Sequence, residues 1–163
     1  MTVKELYESD FQVWIEQTIA ALESHDFTHL DISHLVEELA ELGRSERKAF
    51  TSNLLVLLAH LLKLRVQGEV PETMKGSWLA SVAEHRQRVL FDLEETPALK
   101  SYLQEAVGKA YPNTRRLAIQ EGRLARFGVR IPNEEEYDLD CPFSVAEILD
   151  EDFYGVKKNR INP

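Results

Sequence analysis

Leu54-Leu55-Val56-Leu57-Leu58-Ala59-His60-Leu61-Leu62 is apolar at every position but one. No two-residue alternation runs through it, so it does not read as a half-buried strand. It sits inside a stretch, residues 45–67, that contains neither Gly nor Pro and has the length of an ordinary helix. A helix that is apolar nearly all round is buried nearly all round. At about 1.5 Å per residue such a helix crosses the whole of a small domain, so the other helices must pack on it. The expected fold is therefore all-α, a single-domain bundle of six or seven helices packed around a central hydrophobic helix at about 45–67.

Outward from that helix, the preceding segment reads as a helix over 33–42, with Ile32, Leu35, Val36, Leu39 and Leu42 on one stripe. Glu38 falls on the flank of the stripe, and His34, Glu37 and Glu41 point away from it. Gly43 is the expected C-terminal stop and Ser45 the cap of the central helix. Further back, Ser9 and Gln12 stand in capping-box spacing. They open a helix to about Ser24, with Phe11, Trp14, Ile15, Ile19 and Leu22 on its apolar face. Downstream, 69–77 reads as a loop and 77–95 as a helix. Arg86 shares the core face of that helix with Leu79, Val82, Leu90 and Leu93, and a lone buried cation needs a partner. Thr96-Pro97 starts a helix to Tyr111. Pro112 kinks it or begins another, which carries Arg115, Arg116, Arg123 and Arg126. An acidic loop, 134–140, and a short helix capped by Ser144 and Glu147 complete a domain expected over 5–154, with 155–163 as a frayed tail.

The 163 residues carry 19 basic and 28 acidic side chains, a net charge of −9, with 44% apolar and 29% charged content. That is the composition of a globular domain large enough to bury a real core. The acidic balance argues against general nucleic-acid binding, which needs a phosphate-neutralising surface. It leaves only the strip Arg115, Arg116, Arg123 and Arg126 as a local candidate, and the acidic loop 134–140 is the nearer partner for it. The apolar run is too short to span a bilayer, so no membrane association is expected. With no secretion signal read at the N-terminus and Cys141 as the lone cysteine, the expected compartment is the cytoplasm.

Three sets of residues bear chemistry. Glu46, Asn53, His60 and Gln67 recur every seven residues and draw a narrow polar line along the central helix. His60 on that line is either a histidine with satisfied hydrogen bonds or a proton carrier. His34, His60 and His85, one on each of three helices, have the residue types of a zinc site, with Glu38 or Glu41 as a further ligand or base. Against that site, His34 turns away from the core, and neither Glu-x-x-His nor His-Glu-x-x-His is present. Glu38, Lys63 and Arg86 each sit at or near an apolar face, which predicts an ion-pair network. Cys141, beside Pro142 and with no activating base in sequence, reads as a small packed side chain.

Leu6-Tyr7-Glu8-Ser9-Asp10-Phe11 with Trp14, Leu35-Val36-Glu37-Glu38-Leu39 with Gly43, Ser45-Glu46-Arg47 and His60-Leu61-Leu62-Lys63-Leu64 follow one another in order. So do Ser77-Trp78, Arg86, Pro97-Ala98-Leu99, Tyr102, Tyr111 and Cys141-Pro142-Phe143. Together they resemble domain-of-unknown-function family number 29, widespread in cyanobacteria and some other bacteria, over about residues 6–153. The resemblance implies an all-helical domain and no established activity. It places the Glu37-Glu38 pair, His60, Lys63 and Arg86 in the family's pattern and leaves His34 and His85 outside it. That lowers the three-histidine site and raises a Glu38, His60, Lys63 and Arg86 cluster. Two functions follow from this reading. One is a non-catalytic interaction or regulatory module that binds a protein partner or itself, with no cofactor. The other is a metal-assisted or general-base hydrolase of a phosphate-bearing substrate. In it, Glu38 and His60 would act as base or ligand, and Lys63 with Arg86 would stabilise developing negative charge.

Overall fold

A computed structural model describes residues 1–124 and 129–157. All regular structure in those residues is helical: α1 (Val3–Ser9), α2 (Phe11–Glu23), α3 (Ile32–Val66), α4 (Glu72–Glu95), α5 (Leu99–Arg123) and α6 (Val145–Leu149). Single 3-10 turns stand at Phe27–His29 and Glu134–Glu136. Chain packing divides the protein into two compact units, residues 1–46 and 47–163. The tail expected from 155 falls outside the described residues from 158 on.

In the first unit, Thr2 and Glu5 close a capping box on α1, and the Asp10 carboxylate accepts from the Val13 amide to start α2. The cap expected at Ser9 is therefore one residue early, since the Ser9 hydroxyl donates back to the Glu5 carbonyl. Leu6, Trp14 and Thr18 are buried. Tyr7 stands edge-on to Trp14, with ring centroids 5.1 Å apart.

The two helices expected at 33–42 and 45–67 are one, the 35-residue α3. Gly43 does not stop it. A glycine ends a helix by turning left-handed; among the described residues the glycine with positive φ is Gly155, which ends no helix. Gly43 instead sits among Glu, Leu, Ala, Arg and Lys, all good helix formers. A Cβ at Gly43 would meet nothing within 4 Å. Gly43→Ala is accordingly expected to stabilise the protein by about 1 kcal/mol, read as a rise in Tm of roughly 2–4 °C. A fall in Tm would show that the space around Gly43 is used. Fused in this way, α3 is by length and composition able to cross a membrane, which residues 54–62 alone are not; 56% of its most apolar window is buried.

The second unit is built on the apolar half of α3. Phe50, Leu54, Leu57, Leu58, Leu61 and Leu62 are sealed from solvent against Val82 and Val89 of α4 and the inner face of α5. That inner face is a ladder of small residues at every fourth position: Ala106, Ala110, Thr114, Ala118 and Gly122, all buried. Small side chains let two backbones approach, and the Thr114 hydroxyl donates to the Leu55 carbonyl of α3 at 3.1 Å. Pro112 lies within α5 and begins no new helix. It faces solvent, as does Gly108, whose carbonyl loses the helical bond that a proline cannot donate. α4 starts at Glu72, five residues before the expected Ser77. The Ser144–Glu147 capping box on α6 is formed as its spacing predicts.

Candidate functional site

His60 leaves the apolar face of α3 half-buried. Its Nδ1 is 2.9 Å from the Val56 carbonyl one turn back and 3.4 Å from Ser81 Oγ of α4. On α4 the same hydroxyl lies 3.4 Å from Nδ1 of His85, which is itself 2.9 Å from the Ser81 carbonyl. Ser81 thus joins two of the three expected histidines. A carbonyl only accepts, so each of the two rings donates through Nδ1–H. Among the described residues, no three His, Cys, Asp or Glu side chains converge as a metal site needs. Burial pulls the His60 pKa below its ordinary 6.5, and Lys63 and His85 add to the shift; the Val56 carbonyl and Glu121 oppose it. The folded state therefore holds the His60 proton less tightly than the unfolded chain. The stability contributed by neutral His60 is complete above about pH 6.5 and is lost as pH falls below it. Denaturation from pH 7 to 5 should show a loss that His60→Gln reduces; equal slopes in the two proteins would contradict this.

One turn further, Lys63 is 6% exposed. Its ammonium lies 2.5 Å from Glu121 of α5 and 4.5 Å from the centre of the Trp78 ring. The sequence offered Glu38 as its partner. Glu121, 58 residues away, gave no signal, because it sits on a helix face that reads as plain solvated surface. Removing one member of an ion pair strands the other, at high cost where the stranded charge is buried and at little cost where it reaches water; the Lys63 side chain is 8% exposed and that of Glu121 36%. Lys63→Met is thus expected to fold with little change, and Glu121→Ala to cost several times more in urea denaturation. The reverse order would refute the pairing as the reason for Lys63.

Arg86 is 1% exposed. Its Nε donates to the Ile148 carbonyl at 2.8 Å and its Nη2 to the Phe153 carbonyl at 2.7 Å; the Tyr154 ring lies over the guanidinium at 5.6 Å. No carboxylate pairs with it among the described residues, and Nη1 is buried without a partner. The chain it grips returns to α3 at Gly155, whose φ of +89° and close approach to the Leu61 carbonyl leave no room for a side chain. In the expected basic strip, Arg115 donates to the Tyr137 and Glu134 carbonyls, and Arg123 pairs with Glu134 at 3.3 Å. Arg116 is exposed, and Arg126 lies outside the described residues. Cys141 is half-buried with its Sγ on the Phe143 carbonyl, and burial pushes its thiol pKa up.

Glu38 belongs to the first unit. It accepts from the Tyr7 hydroxyl at 2.5 Å, which pushes the Tyr7 pKa up to about 12. The Tyr7 ring stacks on His34 at 3.8 Å, and His34 Nδ1 is 2.5 Å from Asp31. Tyr7 and Asp31 were not singled out by sequence, although Tyr7 lies in the opening motif and Asp31 precedes His34 by three residues. Of the predicted stripes of this unit, Trp14 is buried and Ile15 and Leu35 are half-buried, but the rest of each stripe is uncovered. On α3, Ile32, Val36, Leu39 and Leu42 are 53%, 60%, 60% and 69% exposed, and on α2, Phe11, Ile19 and Leu22 are exposed as well. Charge divides with the units. Residues 1–46 hold two basic and eleven acidic side chains, a balance of −9, while residues 47–163 hold seventeen of each.

The fold and these partners define an all-helical protein whose buried charges are tied within its own chain. It matches the family described as Domain of unknown function DUF29 over residues 6–154, and the chain belongs to that family. No curated protein and no solved structure matches it.

Proposed function

We propose that the protein is a non-catalytic interaction module of the cytoplasm, and that residues 1–46 are its binding part. One observation carries this reading: the apolar stripe Ile32, Val36, Leu39 and Leu42 is exposed along its whole length. Isolated exposed apolar side chains are ordinary, but several at helical spacing on one face mark a surface awaiting a partner. The partners of the charged residues favour it over a phosphate-directed hydrolase. Arg86 is sealed with two of its donors on carbonyls, and Lys63 already has Glu121. Neither is disposed to meet a phosphate.

The test is a photo-crosslinking amino acid placed at Val36 or Leu39 of the full chain in its own cells, with exposed Arg88 on α4 as the control position. A discrete adduct from 36 and 39 and none from 88 is expected. Equal smears from all three positions, or no adduct, would overturn the reading.

A further inference from the structure

Resting on that reading, we infer that the occupant of the stripe is a basic amphipathic helix of another protein. The stripe has the 4-3-3 spacing of one helix face, and from Leu39 to Glu46 every residue of α3 is exposed. A surface of this form accepts a second helix that lays its own apolar face along it, with anchors at the same spacing.

Charge selects which helix. The unit that carries the stripe has a balance of −9, to which Glu37 and Glu41 on the far side of the helix from the stripe and Glu38 on its flank contribute. Complementary charge steers encounter, and like charge suppresses wrong partners. Nucleic acid and anionic lipid are repelled by such a surface. A second copy docking through the same face would bring −9 against −9. A helix with Leu-type anchors flanked by Lys or Arg matches the apolar stripe through contact and the net charge of the unit through longer-range attraction.

The experiment uses the full chain and a fluorescent helical peptide of about 18 residues, long enough for helix formation on a surface. It has Leu at 3-4 spacing and Lys elsewhere. Two controls are a scrambled peptide of the same composition and the same pattern with Glu in place of Lys. Anisotropy is expected to show the patterned Lys peptide binding about tenfold or more tightly than either control. The affinity should weaken as salt rises. Leu39→Ser with Leu42→Ser should lower it by a similar factor, and hydrogen exchange should slow in 32–43. These side chains are exposed, so the variant should fold; if its melting point drops, Glu37→Lys with Glu41→Lys supplies the same test through charge. Equal binding of the scrambled peptide, unchanged binding by the variants, or no binding overturns the inference. A crosslinked adduct at 36 and 39 alongside such a failure would leave the interaction module standing with a different partner, and an adduct of twice the chain's mass would identify that partner as a second copy.

Discussion

Arg86→Ala is expected to destabilise the protein by about 3–5 kcal/mol, the range for removing one side of a buried charged interaction. In a chain of this size that lowers Tm by roughly 6–20 °C. The loss has two sources: the Ile148 and Phe153 carbonyls lose their donor, and the volume of the largest fully buried side chain is emptied. Arg86→Lys should recover only part of it, because an ammonium on a shorter reach cannot serve two carbonyls as the guanidinium fork does. The effect should also be local before it is global, with hydrogen exchange in 145–156 accelerating at denaturant concentrations that leave α3 protected. An Arg86→Ala protein that melts within a degree or two of wild type would show that the guanidinium holds nothing together.

Gly155→Val should release the same segment from its other end. The backbone there has φ of +89°, a conformation that costs an ordinary L-residue about 1–2 kcal/mol and a β-branched one more. The new Cβ would also run into the Leu61 carbonyl, with the Leu61 carbonyl carbon at 3.3 Å and the Arg65 amide at 3.4 Å. These are backbone atoms of a buried helix and cannot rotate away. With overpacking at about 1–3 kcal/mol, the sum is about 2–5 kcal/mol. Limited proteolysis should cut Gly155→Val within 150–157 well before wild type, with Gly155→Ala in between. Equal resistance of all three proteins would mean that the close approach to α3 is not maintained in solution.

The central helix was legible because nine residues with one polar interruption admit few other readings. The stripe on the first half of α3 was legible as a stripe, yet its burial was not. Periodicity records which residues share a face, and whether another element covers that face depends on the rest of the chain. Gly43 misled for a related reason: the residue permits a stop but does not require one where its neighbours favour helix. The small-residue ladder of α5 was missed because Ala, Thr and Gly at every fourth position carry no large apolar signal, although they let α5 approach α3. Arg86 was legible as a residue in need of a partner. That the partners are backbone carbonyls 62 and 67 residues downstream was not, since every residue has a carbonyl and sequence marks none of them.

Those separations have a consequence for synthesis. At about 5–20 residues per second, roughly 3–13 s pass between the addition of Arg86 to the nascent chain and that of Phe153. During that interval a guanidinium destined for the interior has neither of its acceptors, and the pocket it will occupy has no wall from Ile148 or Phe153. The first unit needs nothing downstream of α3 for its Tyr7–Glu38 and Asp31–His34 bonds and is free to fold while the ribosome is still working. The second unit closes only after elongation has passed its last grip point. A ribosome that stalls in α5 therefore leaves an exposed charge and an open apolar core, the kind of surface that chaperones and proteases recognise.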